Sequence, residues 1–107
     1  MRRGEIWTVS DRGYSGKPRP AVIVQDDLFP TASVTLCPLT TSPVGAPLFR
    51  LEITAQSGNG LDEDSRIMID KTMTVPRTKV GTRLGQLSAA DVMRVNRALA
   101  LFLGLAS

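Results

Sequence analysis

Apolar residues recur in short alternating or continuous runs along most of this chain, and only the last stretch switches to a helical repeat. Gly4 to Val9 alternates and is rich in β-formers, so it predicts a first strand. Ala21 to Gln25 is a continuous run with β-branched residues, the pattern of a buried central strand. Ser33 to Leu39 predicts a third strand, and Leu48 to Ile53 sets Leu48, Arg50 and Glu52 against Phe49, Leu51 and Ile53. Ser65 to Val75 reads as one further strand, with Ile67 and Ile69 on one face and Arg66, Met68 and Asp70 on the other. Thr82 to Leu87 is the last. Between them, Asp11 to Pro20 and Gln56 to Asp64 carry the glycines, prolines and charges of loops, and Pro76 to Val80 predicts a short turn or one helical turn.

From Ser88 onward the repeat changes. Ser88 is a good N-cap with Asp91 three residues on, and Val92, Val95, Leu99, Phe102 and Leu103 follow helical spacing. Gly104 supplies the stop. The expected fold is mainly β, an α+β arrangement in which a small barrel or strongly bent sheet is closed by one C-terminal helix. At 107 residues, one domain over residues 1–107 is expected.

Composition narrows the chemistry. Histidine is absent and Cys37 is the single cysteine. No internal disulfide, Ser-His-Asp or Cys-His nucleophile, or Cys/His zinc framework can therefore form. Cys37 reads as a small buried hydrophobe. Asp62-Glu63-Asp64 lacks the remaining ligands and spacing of a calcium loop and reads as a solvated turn. No metal or cofactor is expected. The net charge of +3 suits a nucleic-acid backbone but is too mild to identify one. The longest apolar run, Ala98 to Leu103, falls far short of the ~20 residues that span a bilayer. With Arg2-Arg3 followed by Gly4-Glu5, no signal peptide is expected either, so the expected location is cytoplasmic.

Two strand ends carry the candidate chemistry. Lys17-Pro18-Arg19-Pro20 leads into the second strand, and Cys37-Pro38-Leu39-Thr40-Thr41 closes the third. Each sets polar side chains where a stiff strand meets a proline-punctuated loop, a place where a scaffold can hold a reactive group in the open. An arginine at one mouth and paired threonines at the other suit a phosphate or another anion.

These segments, in this order, resemble the MazF/PemK (Kid) family of toxin endoribonucleases from type II toxin–antitoxin systems. The resemblance runs almost end to end. It rests on Arg2-Arg3-Gly4-Glu5-Ile6-Trp7, Arg19-Pro20-Ala21-Val22-Ile23-Val24 and Cys37-Pro38-Leu39-Thr40-Thr41. Gly60-Leu61 through Asp64-Ser65 to Asp70, and Arg83-Leu84-Gly85-Gln86-Leu87-Ser88, complete it. It implies an SH3-like β-barrel with a C-terminal helix, the plasmid-maintenance toxin fold shared with CcdB. A homodimer is implied too, cleaving single-stranded RNA without metal and blocked by a cognate MazE-like antitoxin. The family's active-site arginine falls on Arg19 and its threonine on Thr40, with Thr41 beside it; an aspartate used in one branch falls on Asp70. Two stretches depart from the family pattern. The loop Asp11 to Pro18 lacks the usual Glu/His-Gln pair, and Asp70-Lys71-Thr72-Met73-Thr74 stands where Asp-Gln-x-Arg-Thr is usual.

RNA can be cut without metal because its 2′-hydroxyl can attack the neighbouring phosphorus, leaving a 2′,3′-cyclic phosphate and a 5′-hydroxyl. A planar, permanently charged guanidinium suits the charge that develops on phosphate. Arg19 is expected to stabilise that charge, while Thr40 and Thr41 donate to phosphate oxygens. Asp70 is expected as the proton acceptor, with orienting Arg19 or reading a base as its alternatives. Lys17 and Lys71 would hold the flanking backbone, and Tyr14 could stack on a base. Trp7 fits core or interface packing better than stacking. A gyrase poison of the CcdB kind and an SH3-like module that binds RNA without cutting are the competing readings.

Overall fold

The computed structural model describes residues 1–10, 17–43 and 45–106. Seven strands form one bent antiparallel sheet: β1 Glu5–Val9, β2 Arg19–Ile23, β3 Ser33–Thr40, β4 Arg50–Ile53, β5 Ser65–Met68, β6 Met73–Pro76 and β7 Val80–Gln86. A single helix, α1 Ala89–Phe102, follows. Along the main path the strands run β4-β5-β3-β2-β1-β7, and β6 pairs with β3 off that path.

The strand expected over Ser65 to Val75 is broken in two. A 3-10 turn at Ile69–Lys71 separates β5 from β6, where the Thr72 hydroxyl donates to the Ile69 carbonyl at 2.7 Å. The break has a clear use. β3 pairs with β6 over Ser33 to Leu36 and with β5 at Leu39 and Thr40, so the intervening turn carries the chain from one half of β3 to the other. Pro38 lies in the interval between the two partners. A residue without an N–H is tolerated where a ladder is interrupted and not where it is continuous.

Alternation along the bent sheet gives it two apolar faces. Ile6, Val22, Cys37, Leu39, Leu51, Ile53, Ile67 and Ile69 form one cluster with Leu87, Val95 and Ala98, so the helix closes that side. Val9, Ala21, Ile23, Val34, Leu36 and Val75 form the second, against which Trp7 packs. Burial raises the pKa of the Cys37 thiol, and a 3.1 Å contact with the Thr72 hydroxyl only partly offsets it. An uncharged thiol fits the role of a small core residue.

The helix begins and ends as its residues dictate. The Ser88 hydroxyl accepts from the Asp91 N–H at 3.1 Å. Asp91's own carboxylate turns to Arg94 at 2.9 Å, so it does not complete a reciprocal capping box. At the other end Gly104 takes φ +74° and the Leu105 N–H donates to the Ala100 carbonyl at 2.7 Å, closing a Schellman motif.

Outside the strands, the loop from Thr54 to Asp64 is held by its own polar atoms. The Asn59 amide is nearly fully buried. Its oxygen accepts from the Gln56 and Leu61 N–H groups, and its nitrogen donates to the Thr54 carbonyl. The Asp64 carboxylate accepts from the Ala55 N–H at 2.7 Å. The loop then rests on β7, where the Gln86 N–H donates to the Gly58 carbonyl at 3.0 Å. A Cβ on Gly85 would lie 2.5 Å from the Asn59 carbonyl carbon, so only glycine allows this approach.

Two consequences are measurable. Gly85→Ala displaces the loop from β7 and lowers unfolding free energy by about 1–3 kcal/mol in urea denaturation. Glu5 ties β1 to β7. Burial works against its charge, but the Arg2 N–H, Arg83 and the Trp7 indole outweigh that and hold its pKa down to about 2. A carboxylate depressed on folding contributes stability that is present above its unfolded pKa and lost as pH falls from roughly 4 towards 2. Glu5→Gln therefore destabilises at neutral pH and flattens the acid-unfolding curve across that window.

Candidate active site

A groove of 520 Å³ opens at the strand mouths. Thr8 of β1, Arg19 and Pro20 of β2, Thr41 just past β3, Ser65 of β5 and Leu84 of β7 line it, with Lys17 and Pro18 at the entry. Gly60 to Glu63 form the opposite wall. Thr8 faces β7, where its hydroxyl accepts from the Thr82 N–H at 2.8 Å. Gly81 leaves room for that hydroxyl, since a Cβ there would lie 2.7 Å from it.

The strand ends bring two of the predicted residues together. β2 and β3 pair Ala21 with Pro38 and Val22 with Cys37, and beyond that pairing β2 begins at Arg19 and β3 ends at Thr40. Arg19 and Thr41 line the groove, and Thr40, one residue before Thr41, is not among its lining residues. The Thr40 hydroxyl accepts from the Ser42 N–H at 3.1 Å, which fixes the Thr40-Thr41-Ser42 turn. Arg19, Lys17 and Thr41 are all exposed at the groove.

Asp70 and Lys71 are not brought to it. They sit on the 3-10 turn between β5 and β6, displaced along β3 from Thr40, since Thr40 pairs with Arg66 and Leu36 with Met73. The Asp70 carboxylate accepts two hydrogen bonds from Arg50, 2.7 Å from Nε and 2.9 Å from Nη2. That bidentate pairing outweighs partial burial and lowers the Asp70 pKa, and it raises that of Arg50. Within one chain, Asp70 is engaged by Arg50 and is not a lining residue of the groove. Tyr14 lies outside the described residues. Trp7 is half-buried on the second cluster with its indole N–H on Glu5, which agrees with a packing role.

The sequence reading missed the acidic wall. Asp62 and Glu63 are exposed, as a solvated turn would be, yet they line the groove facing the arginine. The loop closes so tightly because Gly60 takes φ +69° and sits against the Leu84 carbonyl of β7. No local signal announces that meeting of Gly60 with Leu84 and of Asn59 with Gly85. Among the described residues no group of three or more His, Cys, Asp and Glu side chains is arranged to hold a metal ion.

The fold and the site together define a small β-rich toxin domain. The chain belongs to the PemK-like, MazF-like toxin family of type II toxin–antitoxin systems, whose model matches residues 2–103. It is 52% identical over 108 residues to a Mycolicibacterium smegmatis protein named "Probable endoribonuclease MazF", with 99% of both chains covered. It is 29% identical to "Endoribonuclease MazF9" of Mycobacterium tuberculosis over 116 residues, covering 98% of each. Among solved structures, a mycobacterial endoribonuclease in complex with its cognate antitoxin superposes with a TM-score of 0.82 at 27% identity, covering 100% of this chain and 98% of that one. These likenesses bear out the expected family and its fold.

The Arg50–Asp70 pair gives a direct test of Asp70's place. Removing the carboxylate leaves a largely buried guanidinium without its counter-charge. Asp70→Asn should therefore cost about 2 kcal/mol at pH 7, below the cost for a fully buried pair because both groups keep some water contact. The gap from wild type should narrow as pH falls through the lowered Asp70 pKa, because the wild-type carboxylate is then neutral too. Urea denaturation of both proteins along a pH series reads this out.

Proposed function

We propose that this chain is a metal-independent endoribonuclease toxin that cleaves single-stranded RNA. The observation that carries the reading is the meeting of Arg19 and Thr41 in one groove, with Thr40 next to Thr41 at the end of β3. The RNA backbone lies along the groove with its scissile phosphate between the guanidinium and the threonine hydroxyls. The 2′-hydroxyl oxygen attacks phosphorus, the P–O5′ bond breaks as the leaving 5′ oxygen takes a proton from Arg19 or from water, and a 2′,3′-cyclic phosphate and a 5′-hydroxyl result. Arg19 donates to the phosphate oxygens, where negative charge accumulates. Thr40 and Thr41 hold the phosphate in line for attack, and Lys17 neutralises its neighbour at the entry.

The 2′-hydroxyl proton needs an acceptor. The carboxylates that line the groove are those of Asp62 and Glu63, and one of them takes the proton. Asp70, bound to Arg50, orients that arginine instead of acting as the base.

Two partners follow from the same reading. A solved relative is a complex of an endoribonuclease with its cognate antitoxin. A MazE-like antitoxin with an acidic, apolar segment would cover this groove, and its loss would release RNA cleavage that stops translation and growth. The C-terminal end leaves Phe102, Leu103 and Leu105 exposed, with Leu48 also exposed on the loop before β4. Phe102 stacks at 5.9 Å on Phe49, so the helix end is fixed against the sheet with apolar surface to spare. That surface suits a second copy of the chain in a homodimer.

Cleavage of a mixed single-stranded RNA pool in excess EDTA, with the product ends identified, tests the reading. Wild type should leave cyclic-phosphate ends at a short motif, and Arg19→Ala should lower the rate by about 10²–10³. Thr40→Ala should lose less, and an Asp62→Asn, Glu63→Gln double variant should lower the rate by about 10²–10⁴, the usual contribution of a positioned proton acceptor. A folded protein that binds RNA and never cuts it would make this a binding module.

A further inference from the structure

Arg66 marks a second basic station beside the groove. It pairs with Thr40 across β3 and β5, on the side of Thr40 away from Arg19. Arg66 follows Ser65 and Thr40 precedes Thr41, both of which line the groove, so the Thr40–Arg66 pair stands just over the groove's rim, on the other side of the alternating strands. Arg66 opens onto a shallow pocket of 270 Å³ lined also by Arg50, Arg94, Glu52 and the small-residue turn Gly45 to Pro47.

The chemistry of this pocket is that of an anion seat already half organised. The Arg66 Nη1 donates to the Ser42 carbonyl at 3.2 Å, so the guanidinium is anchored to the turn that carries Thr41 into the groove. Its Nη2 donates to Glu52 Oε1 at 2.8 Å. Arg94 donates to the Glu52 carbonyl at 2.8 Å and to Asp91 at 2.9 Å, and Arg50 is balanced by Asp70. The weak member is Glu52, whose side chain is 76% exposed while that of Arg66 is 22% exposed. An exposed ion pair of this kind contributes about 0–1 kcal/mol, and Glu52 can swing into water at small cost. A phosphate arriving from the groove would replace it on a guanidinium held in place by Ser42.

We infer that Arg66, with Arg94 behind it, is a phosphate-binding subsite for nucleotides flanking the scissile bond, so that the RNA track runs from Arg19 across Thr40 to Arg66. The inference rests on the ribonuclease reading above. Continuity favours RNA as the occupant. A strand seated on Arg19 and Thr41 that passes over the rim formed by Thr41 and Ser65 next meets Thr40 and, beside it, the donors of Arg66.

Binding of strands that cannot be cut separates this subsite from catalysis. Mixed-sequence RNA with every 2′-hydroxyl methylated, in lengths of roughly four and roughly twelve nucleotides, serves as the probe. Arg66→Ala should weaken the longer strand about 3–10-fold and reduce the slope of log K against log[salt] by about 0.7, the release expected for one single-strand phosphate contact. Adding Arg94→Ala should deepen both effects. The short strand should be little affected, and Arg66→Lys, which keeps the charge, should keep most of the slope. Arg2→Ala, an exposed arginine at the far end of β1, controls for net charge and should leave the long-strand slope closer to wild type. Equal slopes and affinities for wild type and Arg66→Ala would overturn the subsite, as would loss of binding to a glutamate-rich peptide without loss of RNA binding. If those variants bind normally while Arg19→Ala abolishes cleavage of unmodified RNA, the subsite falls and the nuclease stands. If wild type neither binds nor cuts RNA, both fall.

Discussion

The site depends on how β3 spends its two edges. One edge pairs with β2 from Ile23 opposite Leu36 to Ala21 opposite Pro38; the other exchanges β6 for β5 partway along. The exchange bends the sheet, gives it two apolar faces, and brings the end of β3 to the mouth where β1, β2, β5 and β7 also contribute. Arg19 and Thr41 are placed by the strands that lead to them. A guanidinium and a hydroxyl held at strand ends are already ordered, and low reorganisation is what makes electrostatic stabilisation effective.

The same bend separates groups that lie close in sequence. Ser65 lines the groove, Arg66 faces outward beside Thr40, and Asp70, four residues beyond Arg66, is carried round the turn to Arg50. A single unbroken strand over this stretch would have set Asp70 further along the same ladder. The 3-10 turn converts it into a brace between β4 and the segment that feeds β6. Its lowered pKa follows from that brace and is no sign of catalytic tuning, since ion pairs with structural roles shift pKa values as well.

Much of this was legible in the residues. Alternation located β1, β3, β4 and β7 closely, and Ser88 and Gly104 bounded the helix because capping chemistry is local. Arg19 and the Thr40-Thr41 pair stood out from their places beside prolines at strand ends, and Arg19 and Thr41 line one groove. What escaped was non-local. The division of Ser65 to Val75 follows from β3 changing partners, which no window of that segment records. The place of Asp70 depends on Arg50, twenty residues earlier, and the acidic wall depends on Gly60 meeting Leu84 and Gly85 meeting Asn59. Asp62 and Glu63 look like ordinary solvent-facing charges because they are exposed. Their significance is one of direction.

That wall is held by residues other than the two carboxylates it presents. Asn59 and Asp64 knit the loop internally, and it rests on β7 through Gly58, Asn59 and Gly85. Among the described residues, the Asp62 and Glu63 side chains make no hydrogen bond or ion pair that supports it. Their chemical identity is therefore decoupled from the loop's own framework. Selection at these two exposed positions can act on the chemistry of the groove alone, with the fold's stability left out of the exchange.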